Sequence, residues 1–184
     1  DALGNLTAAP SNGDKFCFPR GICNAFLVGE TGTALAPKPF KWGPGDVAKT
    51  ILPPLGTAQK GVACGVANYP TTKMIGGYVY NSTTFAVVWL DNGTGGWVAR
   101  EIKRLLLEAG YNLDSNLLDG VGDVSPEGRF LMIGVGKAVG DTSVARFVVL
   151  NTWFGTNLGQ VKTQSVGSAV TLTNRVVVAA PPDA

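Results

Sequence analysis

The 184-residue chain has no histidine, only three cysteines and two methionines, and charged side chains make up 15% of it. Without histidine there is no Ser-His-Asp triad, no imidazole general base and little with which to build a zinc site. The net charge is +2, and the densest basic run is Arg100, Lys103 and Arg104. One short helical stretch carries all three, which is no footprint for nucleic acid. No apolar run approaches the roughly 20 residues that span a bilayer. No signal peptide is visible either, and Asp1 reads as a processed N-terminus.

What the chain does have is 25 glycines, 11 prolines and 45% apolar residues. That profile fits an all-β domain with many tight turns. One stretch organises it. Met74-Ile75-Gly76-Gly77-Tyr78-Val79-Tyr80 and Phe85-Ala86-Val87-Val88-Trp89 read as two strands, with Asn81-Ser82-Thr83-Thr84 turning between them. Similar stretches run from Leu27-Val28-Gly29 to Phe40-Lys41-Trp42 and from Met132-Ile133-Gly134 to Phe147-Val148-Val149-Leu150. From the glycine to the closing Trp or Leu the spacing is 13, 13 and 16 residues.

A third arm follows each pair, over 47–52, 97–98 and 160–164. Gly-rich strands, Gly61–Val66 and Leu118–Val124, are expected to end the first two units. About three repeated four-stranded antiparallel units result, spaced by 47 and 61 residues, in the range of propeller blades. The longer interval holds one inserted helix, Arg100–Ala109. There Ile102, Leu105, Leu106 and Ala109 form a single apolar stripe, best satisfied as a cap on one blade. The repeated domain is expected over 1–164. Residues 165–184 form a long terminal strand and tail, with Ala169, Val170, Leu172, Val176, Val177 and Val178 as its β-prone core.

Cys17-Phe-Pro-Arg-Gly-Ile-Cys23 encloses a Pro-Arg-Gly turn, and a disulfide between its ends is expected there, in an oxidising setting. The alternative is a pair of free, half-buried thiols. Cys64, between Ala63 and Gly65, reads as a small buried hydrophobe. Asp119 and Asp123 flank a Gly-rich strand and are explained as turn residues before they are explained as a carboxylate pair or a calcium site, and Asp91 opens a turn after Leu90. Gly76-Gly77 and Gly134-Val135-Gly136 lie within strands, so neither is a phosphate loop. Tyr78, Tyr80 and Trp97 are candidates to face a ligand, while Trp42 and Trp89 recur at one position and read as core.

Leu105-Leu106-Leu107-Glu108-Ala109-Gly110-Tyr111-Asn112-Leu113, Gly122-Asp123-Val124-Ser125-Pro126-Glu127-Gly128-Arg129 and Met132-Ile133-Gly134-Val135-Gly136 follow one another in the chain. With Ala86-Val87-Val88-Trp89, this series resembles the HAF-repeat modules of bacterial extracellular and autotransporter-type proteins, over about two thirds of the chain. The resemblance implies a secreted, β-propeller-like fold without catalytic residues. No enzyme activity, metal or cofactor is expected, and the location is extracellular or at the cell surface.

Three units are too few to close a ring of four to eight blades, so sheet edges should stay open. The leading expectation is a secreted structural protein that assembles into a filament or surface layer. The 165–184 strand of one copy would complete a sheet of the next. The alternative is a monomeric extracellular module that binds a glycan or other ligand.

Overall fold

The computed structural model describes residues 16–68, 73–108, 117–136, 146–151, 162–166 and 175–176. They form three open antiparallel sheets and one short helix. β1 (Phe16–Cys23), β2 (Phe26–Thr33), β3 (Ala36–Trp42) and β4 (Thr50–Ile51) make the first sheet in that order. β5 (Lys60–Asn68), β6 (Lys73–Tyr80), β7 (Thr84–Asp91) and β8 (Trp97–Glu101) make the second. β9 (Leu117–Val124), β10 (Phe130–Gly136), β11 (Arg146–Asn151), β12 (Lys162–Val166) and β13 (Arg175–Val176) make the third.

The paired stretches singled out in the sequence lie in the hairpins β2–β3, β6–β7 and β10–β11. In these, Gly29 stands opposite Phe40, Gly76 opposite Val88 and Gly134 opposite Phe147. The Gly-rich strands do not end the preceding units, however. Gly61–Val66 lies in β5 and pairs with β6, and Leu118–Val124 lies in β9 and pairs with β10. A break precedes each of them. Pro53-Pro54 has no N–H to extend the first sheet, and α1 (Ile102–Glu108) follows β8 directly. Each Gly-rich strand therefore opens a new sheet.

The expected Cys17–Cys23 disulfide is not formed. The hairpin turn is Asn24-Ala25, with both residues at positive φ (47° and 63°), and Pro19-Arg20-Gly21 is a bulge within a continuous β1. Cys17 stands opposite Thr31 and Cys23 opposite Phe26. Six residues of extended chain separate the cysteines by about 20 Å, whereas a disulfide needs Cα atoms within roughly 7 Å. All three cysteines are free.

Two cores hold the stack, one on each face of the second sheet. Between the first and second sheets lie Val28, Leu52, Ala58, Ala63, Val66, Ile75, Val79, Val87 and Trp89. Between the second and third lie Met74, Ala86, Val88, Val121, Val124, Leu131 and Ile133, with Ile102 and Leu106 of α1 closing one end. Burial on both faces explains why Ala86-Val87-Val88-Trp89 is apolar without alternation. The Trp89 indole N–H donates to Pro53 O at 2.8 Å, so its one polar atom is satisfied inside the core.

The helix begins two residues later than expected: Arg100 and Glu101 end β8, and Ala109 lies outside the described residues. Ile102 and Leu106 of its expected stripe are buried, in the cluster between the second and third sheets. Of the terminal strand, Arg175–Val176 pairs with Ser165 and Gln164 of the same chain. Ala169, Val170, Leu172, Val177 and Val178 lie outside the described residues, and the boundary expected at residue 164 falls within β12.

Close packing of the sheets depends on absent side chains. A Cβ at Gly65 would stand 2.5 Å from Val124 N, and one at Gly21 would stand 2.5 Å from Cys64 O. Both obstacles are backbone, which cannot rotate aside. Gly65→Ala is expected to lower stability by about 1–3 kcal/mol, measured by urea denaturation. A change within about 0.5 kcal/mol, the size of an ordinary surface substitution, would contradict this packing.

Candidate functional site

β1, β5 and β9 are each the first strand of a sheet, each lies at an edge, and each is bulged. The register shifts between Pro19 and Gly21 in β1 and between Ala63 and Gly65 in β5. In β9 it shifts twice, around Gly122 and Asp119. A bulge leaves one residue without a partner across the ladder and re-aims its side chain. The residues so released are Arg20, Cys64, Gly122 and Asp119.

Consecutive bulges touch. Gly21 lies over Cys64 and Gly65, and Gly65 lies over Asp123 and Val124. At one end of these strands Asn24 Nδ2 donates to Asn68 O at 2.7 Å, and Asn68 N donates to Pro126 O at 3.1 Å. Hydrogen bonds thus tie the ends of β1, β5 and β9 in succession.

A polar cluster forms where the bulges meet. Arg20 binds Glu30 through Nε at 3.0 Å and through Nη2, and Glu30 is only 8% exposed. Cys64, Tyr78 and Tyr80 lie within the electrostatic reach of that pair. Tyr78 packs over Gly120 of β9, where a Cβ would stand 3.0 Å from its Cδ1. Its ring centroid is 6.2 Å from that of Tyr80, two residues along the same face of β6.

The three aromatics expected to face a ligand do not share one surface. Tyr78 stands opposite Ala86, on the face that packs toward the third sheet. Trp97 stands opposite Asp91 and borders the core toward the first sheet. Only Tyr78 and Tyr80 are brought together. The loops expected to present them are built for turning: Asn92 Oδ1 accepts from Thr94 N and Gly96 N, each at 3.0 Å, and Asp91 Oδ1 accepts from Gly93 N at 2.8 Å. Asp119 and Asp123 are exposed, and Asp123 Oδ1 accepts from Val124 N at 2.8 Å.

Burial keeps the thiol and the two phenols of the cluster protonated. Burial pushes the Cys64 thiol up to about 11; Arg20 opposes this, while Glu30 and Asp123 reinforce it. Cys64 is therefore a thiol at neutral pH, a weak donor and not a nucleophilic thiolate. Burial also raises Tyr78, with Cys64 and Glu30 adding to the effect, and raises Tyr80, with Glu30 adding, so both phenols keep their O–H. Guanidinium, phenol and carboxylate groups together offer donors, acceptors and two aromatic faces. Among the described residues no three His, Cys, Asp or Glu side chains gather in a way that could hold a metal.

Arg20, Glu30 and Cys64 are the site residues that sequence reasoning missed. Their available signal was a lone glycine within a β-prone run, which marks a bulge or a close backbone approach. Alkylation by iodoacetamide tests the thiol assignments. Without reductant Cys17 and Cys23 should both react at pH 8, whereas Cys64 should react slowly until the pH nears 11. A mass equal to a Cys17–Cys23 bridge, or rapid Cys64 labelling at pH 8, would contradict the geometry. Comparison with protein-family models, with curated proteins and with solved structures finds no match.

Proposed function

We propose that the chain is a secreted module of propeller-blade-like units, on the HAF-repeat plan, that binds a glycan or a similarly hydroxyl-rich ligand. The carrying observation is the meeting of the bulged first strands, Gly21 of β1 lying over Cys64 and Gly65 of β5, which brings the Arg20–Glu30 pair within electrostatic reach of Cys64 and Tyr78. A sugar ring offers C–H groups to the face of Tyr80 and hydroxyls to Arg20 and the phenols, which is the balance such a site needs. Glu30 acts as a positioning residue: its carboxylate fixes the guanidinium and leaves further N–H groups free to donate. Secretion rests on the HAF-repeat resemblance, since the disulfide that also argued for it is not formed.

Soluble cello-, xylo-, malto- and chito-hexaose, titrated into isotope-labelled protein and followed by NMR, test this reading. At least one should shift the amides of residues 20, 30, 64, 78 and 80. Tyr80→Ala should weaken that binding about tenfold, as loss of a central aromatic contact does. Shifts confined to other residues, or none with any of the four sugars, would contradict the proposal.

Self-assembly is the second reading, favoured by exposed Phe18, Ile22 and Ile51 on β1 and β4, the two edge strands of the first sheet. Pro19 and the bulge at Arg20 interrupt β1 as a template for strand addition. Arg175 and Val176, from the donor segment 165–184, are paired within their own chain. Sedimentation separates the readings. The binding module predicts monomers for the full chain and for one ending at Gln164; filaments lost on that truncation would support assembly through the tail.

A further inference from the structure

The middle sheet has a second edge, three strands away from the polar cluster. β8 is last in the order β5-β6-β7-β8, so among the described residues its outer side pairs with no strand. Across three interstrand spacings this edge lies about 14 Å from β5. Beside it runs an open groove of about 610 Å³. It is lined by residues 55–58 from the chain between β4 and β5, by Phe85 of β7, by β8 from Val98 to Glu101, and by Arg104 of α1.

We propose that this groove accepts an extended peptide as a fifth strand of the middle sheet, with a carboxylate opposite Arg100 and an apolar residue opposite Val98. β8 alternates as an edge strand open to a partner should. Trp97 and Ala99 turn toward the core, while Val98 and Arg100 are exposed on the other face. Val98 is 45% exposed, which leaves apolar surface for a cross-strand neighbour.

The charge on the Val98–Arg100 face selects the partner. Arg100 Nη2 and Arg104 Nε both reach Glu108, at 3.3 Å and 2.9 Å, so two guanidinium groups share one carboxylate. One positive charge is left over there. Glu101 also lines the groove, but in the alternation of β8 it belongs with Trp97 and Ala99 on the opposite face. A carboxylate directly opposite Arg100 meets the excess, and the backbone N–H and C=O groups along the outer side of β8 supply the affinity that strand addition draws on. The site is separate from the tyrosine cluster and does not depend on what that cluster binds.

The test uses the full chain and the blocked heptapeptide Thr-Val-Thr-Asp-Thr-Val-Thr. Its central acid has valines two residues away on both sides, so it fits in either strand direction. Binding should slow amide exchange at residues 97–101 and shift their NMR signals. The same peptide with Lys for Asp should bind about three- to tenfold more weakly, the range expected when an attractive cross-strand pair becomes a repulsive one. Arg100→Glu, with its fold checked by circular dichroism, should reverse that preference. Methylating alternate peptide nitrogens on the pairing side should abolish binding. Failure of the Asp peptide to bind, equal binding of the methylated peptide, or binding that leaves exchange at 97–101 unchanged would overturn the proposal. So would concentration-dependent protection of 97–101 without peptide, which would assign the edge to a second copy of the chain.

Discussion

Backbone-to-backbone contact at Gly65 sets the distance between the second and third sheets, and Gly21 does the same between the first and second. Without a Cβ at either place, a bulged strand can lie directly on the bulge of the next sheet. The alternation of core and glycine then follows. Val66 and Ala67 bury on opposite faces of β5, one in each apolar cluster, while Gly65 keeps the strand close to β9. The middle sheet is thus enclosed on two sides and contributes buried residues to both apolar clusters. Its turns need no such contacts, since their Asn and Asp side chains satisfy local N–H groups.

The same approach concentrates polar groups. A carboxylate as enclosed as Glu30 requires a partner, and the bulge at Arg20 delivers one that is itself 53% exposed. The pair is therefore anchored on its acidic side and open to solvent on its basic side. Such an arrangement holds a hydrogen-bond donor in place without consuming all of its N–H groups. Cys64 illustrates the limit of the guanidinium's influence. Desolvation outweighs the nearby positive charge, and the thiol keeps its proton. Tyr78 and Tyr80 border this region as rigid, amphipathic surfaces, the kind of side chain that covers area at low entropic cost.

Much of the sheet content was legible in the sequence because turn chemistry and β-branched runs act locally. The hairpin from Met74 to Trp89, the apolar stripe of Ile102 and Leu106, and the Asx turn at Asp91 are all of this kind. Pairing between sheets was not. Gly61–Val66 has the same residues whether it ends one sheet or opens another, and only Pro53-Pro54 hints at the break. The Cys17–Cys23 segment failed for a related reason. Pro-Arg-Gly is a good turn and also a good bulge, and Asn24-Ala25 took the turn instead. Trp97 and Tyr78 occupy opposite faces of their sheet, and an aromatic near a loop carries no local signal of which face it takes. The cluster of Arg20, Glu30 and Cys64 brings together residues from two sheets, and no local pattern reports such a meeting.

The strand-on-strand contact at the bulges is the premise behind both the packing and the polar cluster, and proton–proton distances address it directly. A nuclear Overhauser spectrum of labelled protein should show strong cross-peaks from Gly21 Hα to Gly65 Hα and from Gly65 Hα to the Val124 amide. Cross-peaks from these glycines only to their partners within the same sheet, Val28 and Gly76, would mean that the three first strands do not meet, and the site described around Arg20 would not exist.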